Sequence, residues 1–257
     1  MRGEADWDEQ WRVEPLDAAA VAAEARTPRW RAQAAHVERR FGGFAGLQVV
    51  EIGSGRGLNG LLCARSGADV TLLDRSSLVL GQAEELARAC GVEVRTIVGD
   101  ALAPPEELLG AFDVSMSFGL CEHFVGEQRS SIVDAHLRVL RPGGLAFLGV
   151  PNRNAPFYRL WAAVLKARGT WPLGVEEPFG AHELADLACR AGGTPLAPSY
   201  GSFAASAVGH GVNQILYKVG RRGLRVPQVQ VPLLDRLAYE LLLPVLKPES
   251  AGAVTRP

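Results

Sequence analysis

Residues 49–57 read VVEIGSGRG, an apolar run that leads directly into a glycine-rich turn. Val49, Val50 and Ile52 are typical of a buried strand, and the glycines permit a tight turn in which the backbone can approach a ligand closely. A helix that begins after such a turn offers free N–H groups to a bound molecule. The stretch therefore predicts a strand, a loop and a helix start that together bind a nucleotide-like ligand.

Outward from this stretch, short apolar runs alternate with helical patterns. The predicted strands are LQVVEI, VTLL, VEVRTIV, FDVSMSF and LAFLGV, with predicted helices near 57–67, 77–90 and 127–140. Strands that alternate with helices indicate an α/β fold whose mainly parallel sheet is covered on both faces. Two further helices are expected within 15–41, an Ala-rich one after Asp17 and a second that is capped by Thr27.

The pattern changes after Val150. Residues 151–180 predict a loop-like insertion rich in aromatic residues and prolines, followed by a helix near 181–191. Strands are predicted near 194–200 and 212–219. After Pro232 the leucines recur at helical spacing, which predicts an amphipathic helix.

The glycine pattern alone fits two kinds of cofactor. Residues 55–60 also satisfy GxGxxG, the pattern of dinucleotide-binding oxidoreductases. Glu51 would then lie near a pyrophosphate, where like charges repel each other. Beside the ammonium group of an amino acid, the same carboxylate gains a charge-assisted hydrogen bond. S-adenosylmethionine carries such an ammonium group and no phosphate, so Glu51 favours it over NAD(P).

Five short segments follow one another along the chain: residues 51–57, Asp74 at the end of VTLLD, residues 99–101, residues 112–119, and LRPGG at 140–144. In this order they resemble the class I S-adenosylmethionine-dependent methyltransferases over roughly residues 45–195. The resemblance implies roles for each segment. The residues that would hold the methionine part are Glu51, Gly53, Ser54, Gly55 and Gly57, and the methionine arm would pass Phe118 and Gly119. Asp74 with the adjacent Arg75 would bind the ribose. Gly99, Asp100 and Ala101 would bind the adenine.

Two of these acids also have a structural explanation. Asp74 and Asp100 are both of the residue type that caps helices. Each nevertheless follows a predicted parallel strand, and ligands of open α/β sheets bind at the carboxyl ends of the strands. We therefore expect both acids to contact the cofactor.

The resemblance implies a Rossmann-like fold with a seven-stranded, mainly parallel sheet and helices on both faces. We expect an N-terminal helical cap (1–44), a cofactor-binding core (45–220), and a C-terminal amphipathic helix with its tail (221–257). The insertion 151–180, after strand five, is expected to cover the substrate as a lid, with core packing as the alternative. The C-terminal helix could close the lid, pair in a homodimer or touch a lipid.

Glu122 and His123 follow predicted strand four, where members of this family bring the acceptor to the cofactor. Histidine is suited to deprotonating a hydroxyl or phenol near neutral pH. We therefore expect His123, with Glu122 beside it, to act as base or to orient the substrate, unless the pair only caps the next helix. In ubiquinone-pathway O-methyltransferases a Glu-x-x-Glu-His run at this place supplies metal ligands. Gly119 replaces the first acid here, which predicts no metal site.

Length and composition limit the classes of protein that remain. The 257 residues, 47% hydrophobic and 21% charged, predict one globular unit that buries its own core. Lys plus Arg (27) nearly balance Asp plus Glu (28), which argues against general nucleic-acid binding. The four cysteines form no CxxC pair, and neither a signal peptide nor a transmembrane segment is predicted. We therefore expect a cytoplasmic protein.

The sequence thus predicts an enzyme that moves a methyl group from S-adenosylmethionine to a small-molecule acceptor and releases S-adenosylhomocysteine. O-methylation is favoured, because the chain is similar to small-molecule methylases with Glu-His after strand four and Pro-Asn after strand five. The alternatives are a methyltransferase that acts on RNA or protein, an NAD(P)-dependent oxidoreductase, and a non-catalytic scaffold that only binds the cofactor.

Overall fold

The structure is a computed structural model that describes residues 7–12, 17–218, 222–224, 226 and 228–249. Its strands are β1 (Gln48–Ile52), β2 (Asp69–Asp74), β3 (Arg95–Val98), β4 (Phe112–Phe118), β5 (Leu140–Pro151), β6 (Thr194–Pro195), β7 (Ser199–Tyr200) and β8 (Glu240–Leu246). They form a sheet with the order β3-β2-β1-β4-β5-β8-β6, and β7 also pairs with β8.

Helices precede, connect and follow these strands. They are α1 (Trp7–Trp11), α2 (Ala18–Glu24), α3 (Pro28–Phe41), α4 (Leu58–Arg65), α5 (Ser77–Ala89), α6 (Gln128–Arg138), α7 (Pro156–Ala167), α8 (Ala181–Arg190), α9 (Phe203–Ala207), α10 (Asn213–Lys218) and α11 (Pro232–Asp235). A 3₁₀ turn over Cys121–His123 follows β4, and a π-helical turn over Val208–Val212 joins α9 to α10.

The strand pairing aligns the ligand-binding ends of the strands. β1 to β5 pair in parallel, and β8 is antiparallel to β5, with Pro151 opposite Glu240. The carboxyl ends of β1 to β5 and the amino end of β8 therefore lie along one edge of the sheet, which we call the carboxyl edge. In open α/β sheets this edge is where ligands bind.

The core explains why these apolar runs become strands. Successive side chains of a strand point to opposite faces, so a strand with helices on both faces is apolar throughout. In β1, Val50 and Ile52 belong to one buried cluster, whereas Val49 belongs to another. The first cluster includes residues of α6 and α8, and the second includes residues of α3, α4 and α5. The predicted mainly parallel α/β fold with helices on both faces is confirmed, and the described residues form eight strands where seven were expected.

The N-terminal helices also form as their sequence indicates. Asp17 Oδ1 accepts a hydrogen bond from the Ala20 N–H, and Thr27 Oγ1 accepts one from the Trp30 N–H. Pro28, whose fixed φ suits a first helical turn, begins α3. None of the helices in the described part of the chain is long and apolar enough to span a membrane.

Three predictions for the second half of the chain are wrong. The helix after Pro232 ends at Asp235, and the leucines that follow enter β8, which completes the sheet beside β5. The predicted strand near 212–219 is helix α10 over its described residues, and the insertion contains helix α7. Leu241, Leu242 and Leu243 are buried on both faces of the sheet, so their apolar run belongs to a covered strand. Residues 250–257 of the predicted tail lie outside the described residues.

Candidate active site

The loop after β1 has a backbone conformation that requires glycine. Gly53, Gly55 and Gly57 have φ values of 60°, 52° and 68°, in the left-handed region that other residues rarely adopt. A Cβ on Gly57 would lie 2.7 Å from Leu72 Cδ1, and one on Gly53 would lie 2.5 Å from Leu120 Cδ1. The loop therefore packs tightly against its neighbours while its backbone remains next to the carboxyl edge.

Glu51 lies beneath this loop and is almost completely buried. Its exposed fraction is 3%, and its Oε2 accepts a hydrogen bond of 2.7 Å from the Gly60 N–H in the first turn of α4. Burial raises the pKa of Glu51 to about 8, although the Gly60 N–H and the positive charge of Arg29 oppose that shift. A positively charged ligand would stabilise the ionised form of such a buried carboxylate.

A cavity of about 280 Å³ opens at the carboxyl edge beside Glu51. It extends from the glycine loop, past the ends of β4 and β5, to the first residue of β8. The residues that line it are Trp11, Arg29, Glu51, Ser54, Arg56, Gly57, Leu58, Asn59, Phe118, Gly119, Gly149, Val150, Pro151, Tyr239 and Glu240. The structure thus brings Glu51, Ser54, Gly57, Phe118 and Gly119 together around one space.

Arg29, on α3, supplies positive charge to this cavity. Its Nη1 donates to Glu240 Oε1 at 2.5 Å, while its Nε and Nη2 donate to Glu24 Oε1 at 2.9 and 2.7 Å. The guanidinium also lies 4.6 Å from the centre of the Phe118 ring. The Arg29 guanidinium and the Glu51 carboxyl, which becomes negative when it loses its proton, therefore line the same cavity.

The acids that follow β2 and β3 continue along the same edge. Asp74 Oδ2 accepts a hydrogen bond from the Gly55 N–H at 2.8 Å, and its Oδ1 accepts one from the Ser76 N–H at 3.0 Å. Asp100 Oδ1 accepts from the Leu102 N–H at 2.9 Å. Both side chains thus brace local backbone, but neither caps a helix, because Ser76 caps α5 and Asp100 bonds within its own turn. Carboxylate oxygens each have two lone pairs, so ligand contact stays compatible with these bonds.

The neighbours of these acids have simpler placements. Gly99 donates its N–H to the Asp74 carbonyl at 2.9 Å, which joins the ends of β2 and β3. Arg75 is exposed, and Ala101 is half-buried beside Asp100. Burial raises the pKa of Asp74, whereas backbone N–H groups and the charge of Arg75 oppose the shift. Their contact with a cofactor stays a prediction.

Glu122 and His123 lie just behind the cavity wall. Neither residue is one of the described residues that line the cavity. Glu122 is 2% exposed, its Oε2 has no hydrogen-bond partner within the described part of the chain, and burial raises its pKa to about 8. The Nδ1 of His123 lies 2.8 Å from the Val175 carbonyl oxygen, and burial lowers the pKa of its ring. A donating Nδ1 leaves Nε2 as the nitrogen that can take a proton.

Helix α1 lies across the carboxyl edge. The Trp7 ring packs edge-on against His123 at 4.7 Å, Asp8 Oδ1 accepts a hydrogen bond from Ser76 Oγ, and Trp11 lies against Gly55. These three contacts reach the segments that follow β4, β2 and β1. The helical N-terminal region therefore covers part of the candidate site.

A family model described as a methyltransferase domain matches residues 49–144. This segment contains the glycine loop, the following acids and the strand β4 that borders the cavity. Residues 49–144 therefore belong to a methyltransferase domain.

Several known proteins are similar to this chain in sequence or in fold. The ubiquinone biosynthesis O-methyltransferase of Shewanella pealeana is 34% identical over 123 residues, 48% of this chain and 51% of that protein. The chain thus spans about half the length of the curated relatives it matches. Magnesium protoporphyrin IX methyltransferase from Synechocystis PCC 6803, solved with bound SAH, has a TM-score of 0.60 and 14% identity, covering 94% of this chain and 92% of that one. A structure reported for conversion of a disulfide bond into a thioacetal group during echinomycin biosynthesis has a TM-score of 0.61 and 21% identity. The match covers 95% of this chain and 89% of that one.

The sequence did not indicate several residues of this cavity. Arg29, Tyr239 and Glu240 lie outside the matched segment 49–144, on α3 and at or just before the start of β8, whereas Trp11 belongs to the expected N-terminal cap. No motif marks them, and the expected C-terminal helix placed Tyr239 and Glu240 in the wrong element. A heavily apolar run beginning at Leu241 was the available signal for a buried strand.

Asn152 explains how two of these residues reach the cavity. Its Nδ2 donates to the carbonyl oxygens of Arg236 and Ala238, both at 2.9 Å, and its backbone N–H donates to the Tyr239 carbonyl. Its Oδ1 accepts from the Asn154 N–H at 3.0 Å. Asn152 is 1% exposed, so it ties the end of β5 to the segment before β8.

Beyond Pro151, which lines the cavity itself, the aromatic insertion contacts the cavity wall through the Tyr158 ring. Tyr158, on α7, packs 4.9 Å from the Tyr239 ring, and Tyr239 lines the cavity. His210, on the π-helical turn, lies 4.6 Å from Tyr239 and 5.5 Å from Trp161. The insertion therefore supports the cavity wall from behind.

Proposed function

We propose that this protein transfers a methyl group from S-adenosylmethionine to a small-molecule acceptor. The observation that carries the proposal is the cavity at the carboxyl edge, where the buried Glu51 carboxyl and the Arg29 guanidinium lie beside the glycine loop. The amino-acid end of S-adenosylmethionine bears one ammonium and one carboxylate group. Glu51 and Arg29 match these two charges.

The strand order suggests how the rest of the cofactor lies. Asp100 follows β3, Asp74 is the last residue of β2, and Glu51 lies in β1. These three strands are neighbours in the sheet. Neighbouring strands are about 4.8 Å apart, so three strands offer contacts to an extended molecule. We infer that Asp100 binds the adenine, Asp74 the ribose and Glu51 the ammonium group. The glycines leave the loop without side chains where the cofactor passes.

When bound, the sulfonium supplies an activated methyl carbon, so the chain needs mainly to position the acceptor and exclude water. Phe118, Gly119 and Pro151 end β4 and β5 next to Glu51 and form the part of the cavity where the methyl group would point. Trp11 and Tyr239 supply apolar surface on either side. We infer that the acceptor enters between the ends of β5 and β8.

We infer a small-molecule acceptor with a hydroxyl as the methylated group. The support is the similarity to O-methyltransferases of ubiquinone biosynthesis and the cavity of about 280 Å³. His123 would then take the hydroxyl proton at Nε2, with Glu122 beside it. This role requires an acceptor that extends behind Gly119, because His123 stands outside the cavity.

The first experiment uses methyl-labelled S-adenosylmethionine and an extract of the source cells. We expect the label in the small-molecule fraction when purified protein is added. Label in RNA or protein would instead support a macromolecular acceptor. Binding of S-adenosylhomocysteine without any transfer would support the scaffold alternative, and NAD(P) binding without it would support the oxidoreductase.

The role of His123 is tested on the same labelled product. His123→Ala should abolish label transfer while S-adenosylhomocysteine still binds, because His123 lies apart from the cofactor-lining residues. His182→Ala, on α8, is the control. Normal transfer by His123→Ala would exclude this residue as the base.

A further inference from the structure

Two carboxylates already pair with Arg29, so its guanidinium is not free to bind the carboxylate of a cofactor. One edge of the guanidinium, Nε and Nη2, is held by Glu24, and Nη1 is held by Glu240. Both carboxylates stand within salt-bridge distance, at 2.7 and 2.5 Å. A third carboxylate, from the amino-acid end of a cofactor, could reach Arg29 only beside these two negative charges.

The two carboxylates differ in how firmly they are held. Glu24 is 8% exposed, and its Oε1 accepts hydrogen bonds from Thr27 Oγ1 as well as from Arg29. Glu240 lines the cavity, its side chain is 22% exposed, and Arg29 is its hydrogen-bond partner among the described residues. Glu24 therefore anchors Arg29, whereas Glu240 can turn away without breaking another side-chain bond.

We propose that Glu240 occupies the cofactor-carboxylate position on Arg29 in the empty protein and is displaced when S-adenosylmethionine or S-adenosylhomocysteine binds. This inference rests on the proposed function. The cofactor carboxylate takes Nη1 of Arg29, and repulsion between like charges moves the Glu240 carboxylate away. Glu24 keeps the other edge of the guanidinium in place throughout the exchange.

The displaced carboxylate has a use on the acceptor side. Glu240 pairs with Pro151 at the end of β5 and follows Tyr239, so both neighbours line the acceptor part of the cavity. A free Glu240 carboxylate can accept a hydrogen bond from an acceptor O–H or N–H group. Cofactor binding would thus prepare the acceptor site, and the cofactor would bind first.

The experiment compares two ligands by isothermal titration calorimetry. S-adenosylhomocysteine contains the amino-acid end, and 5′-methylthioadenosine shares its adenosine and sulfur but lacks that end. Glu240→Gln removes the competing charge and keeps the side-chain shape. We expect it to bind S-adenosylhomocysteine roughly three- to tenfold more tightly than the wild type and 5′-methylthioadenosine equally well.

Two matched variants separate the exchange from a general effect of charge. Glu24→Gln removes a carboxylate from the edge of Arg29 held by the anchor, so it should not tighten S-adenosylhomocysteine binding. Arg29→Gln should weaken S-adenosylhomocysteine binding at least tenfold and leave 5′-methylthioadenosine unchanged. Thermal melts check that each variant is folded, and Glu240→Asp, whose shorter side chain retracts from Arg29, replaces Glu240→Gln if that variant does not fold.

Three results would overturn the exchange. These are unchanged or weaker S-adenosylhomocysteine binding by Glu240→Gln, equal tightening of both ligands, and equal tightening by Glu24→Gln. Failure of the wild type to bind S-adenosylhomocysteine would instead overturn the proposed function, and the exchange with it. The two failures are therefore distinguishable.

Discussion

The cavity has two facing walls with different origins in the chain. The cofactor wall comes from residues 51–59, which comprise the end of β1, the glycine loop and the start of α4. The acceptor wall combines the end of β5 with Tyr239 and Glu240, almost ninety positions later. The cofactor wall is held by backbone conformation, whereas the acceptor wall is held by buried side-chain hydrogen bonds and an ion pair. Substitution of a loop glycine should therefore disrupt the cofactor wall, and loss of a buried hydrogen-bonding side chain should disrupt the acceptor wall.

Gly57→Val should have the largest effect. A Cβ there adds left-handed strain and lies 2.7 Å from Leu72 Cδ1, so we expect about 3 kcal/mol or more of lost stability and no measurable S-adenosylhomocysteine binding. Gly42→Ala is the matched control, because Gly42 has φ 78° but no atom within 4 Å of its Cβ position. Urea denaturation compares the two. Equal losses would show that close packing of the loop is unimportant.

Asn152→Ala should damage the acceptor wall while sparing the cofactor wall. It removes two donated hydrogen bonds and one accepted bond at a buried position, which costs about 2 to 4 kcal/mol of stability. Binding of S-adenosylhomocysteine to the folded variant should change less than its stability. The exposed Asn154→Ala serves as control. A large loss of S-adenosylhomocysteine affinity in folded Asn152→Ala would show that the walls are not independent.

Changes at the two acids should divide the cofactor wall itself. Glu51→Gln keeps an oxygen for the Gly60 N–H but loses the charge, so S-adenosylhomocysteine should bind about tenfold more weakly and 5′-methylthioadenosine equally well. Asp100→Ala should weaken both ligands, because both contain adenine. Calorimetry measures all four affinities. Unchanged affinity in both variants would refute the assigned placement of the cofactor.

The pH dependence of binding should be the smallest effect. The pKa of Glu51 is raised to about 8 in the empty protein, so below that pH the carboxyl must lose a proton to pair with an ammonium group. S-adenosylhomocysteine affinity should therefore rise about threefold to tenfold between pH 6 and pH 8. Calorimetry in buffers of different ionisation enthalpy should show proton release. Glu51→Gln should flatten the profile, and a profile that persists would assign the proton to another group.

Sequence and structure agree where the chain's signals are local. The strand before Gly53, the caps at Asp17 and Thr27, and the alternation of strands and helices each depend on neighbouring residues. The tail shows the limit. Leu241 and Leu242 suit both an amphipathic helix and a buried strand, and only pairing with β5 decides between them. The site shows the same limit, because Glu122 and His123 follow β4 as expected but stand behind the cavity wall.

The sequence by itself determined the glycine loop, the acid in β1 and the acids after β2 and β3, because each rests on residue type and on position relative to a strand. Tertiary structure alone decided that β8 pairs with β5, that Asn152 holds the segment before it, and that Arg29 faces both Glu51 and Glu240. These contacts join positions that are far apart in the chain. They form because burying the apolar run of β8 and satisfying its backbone hydrogen bonds requires an edge of the sheet, which no local pattern specifies.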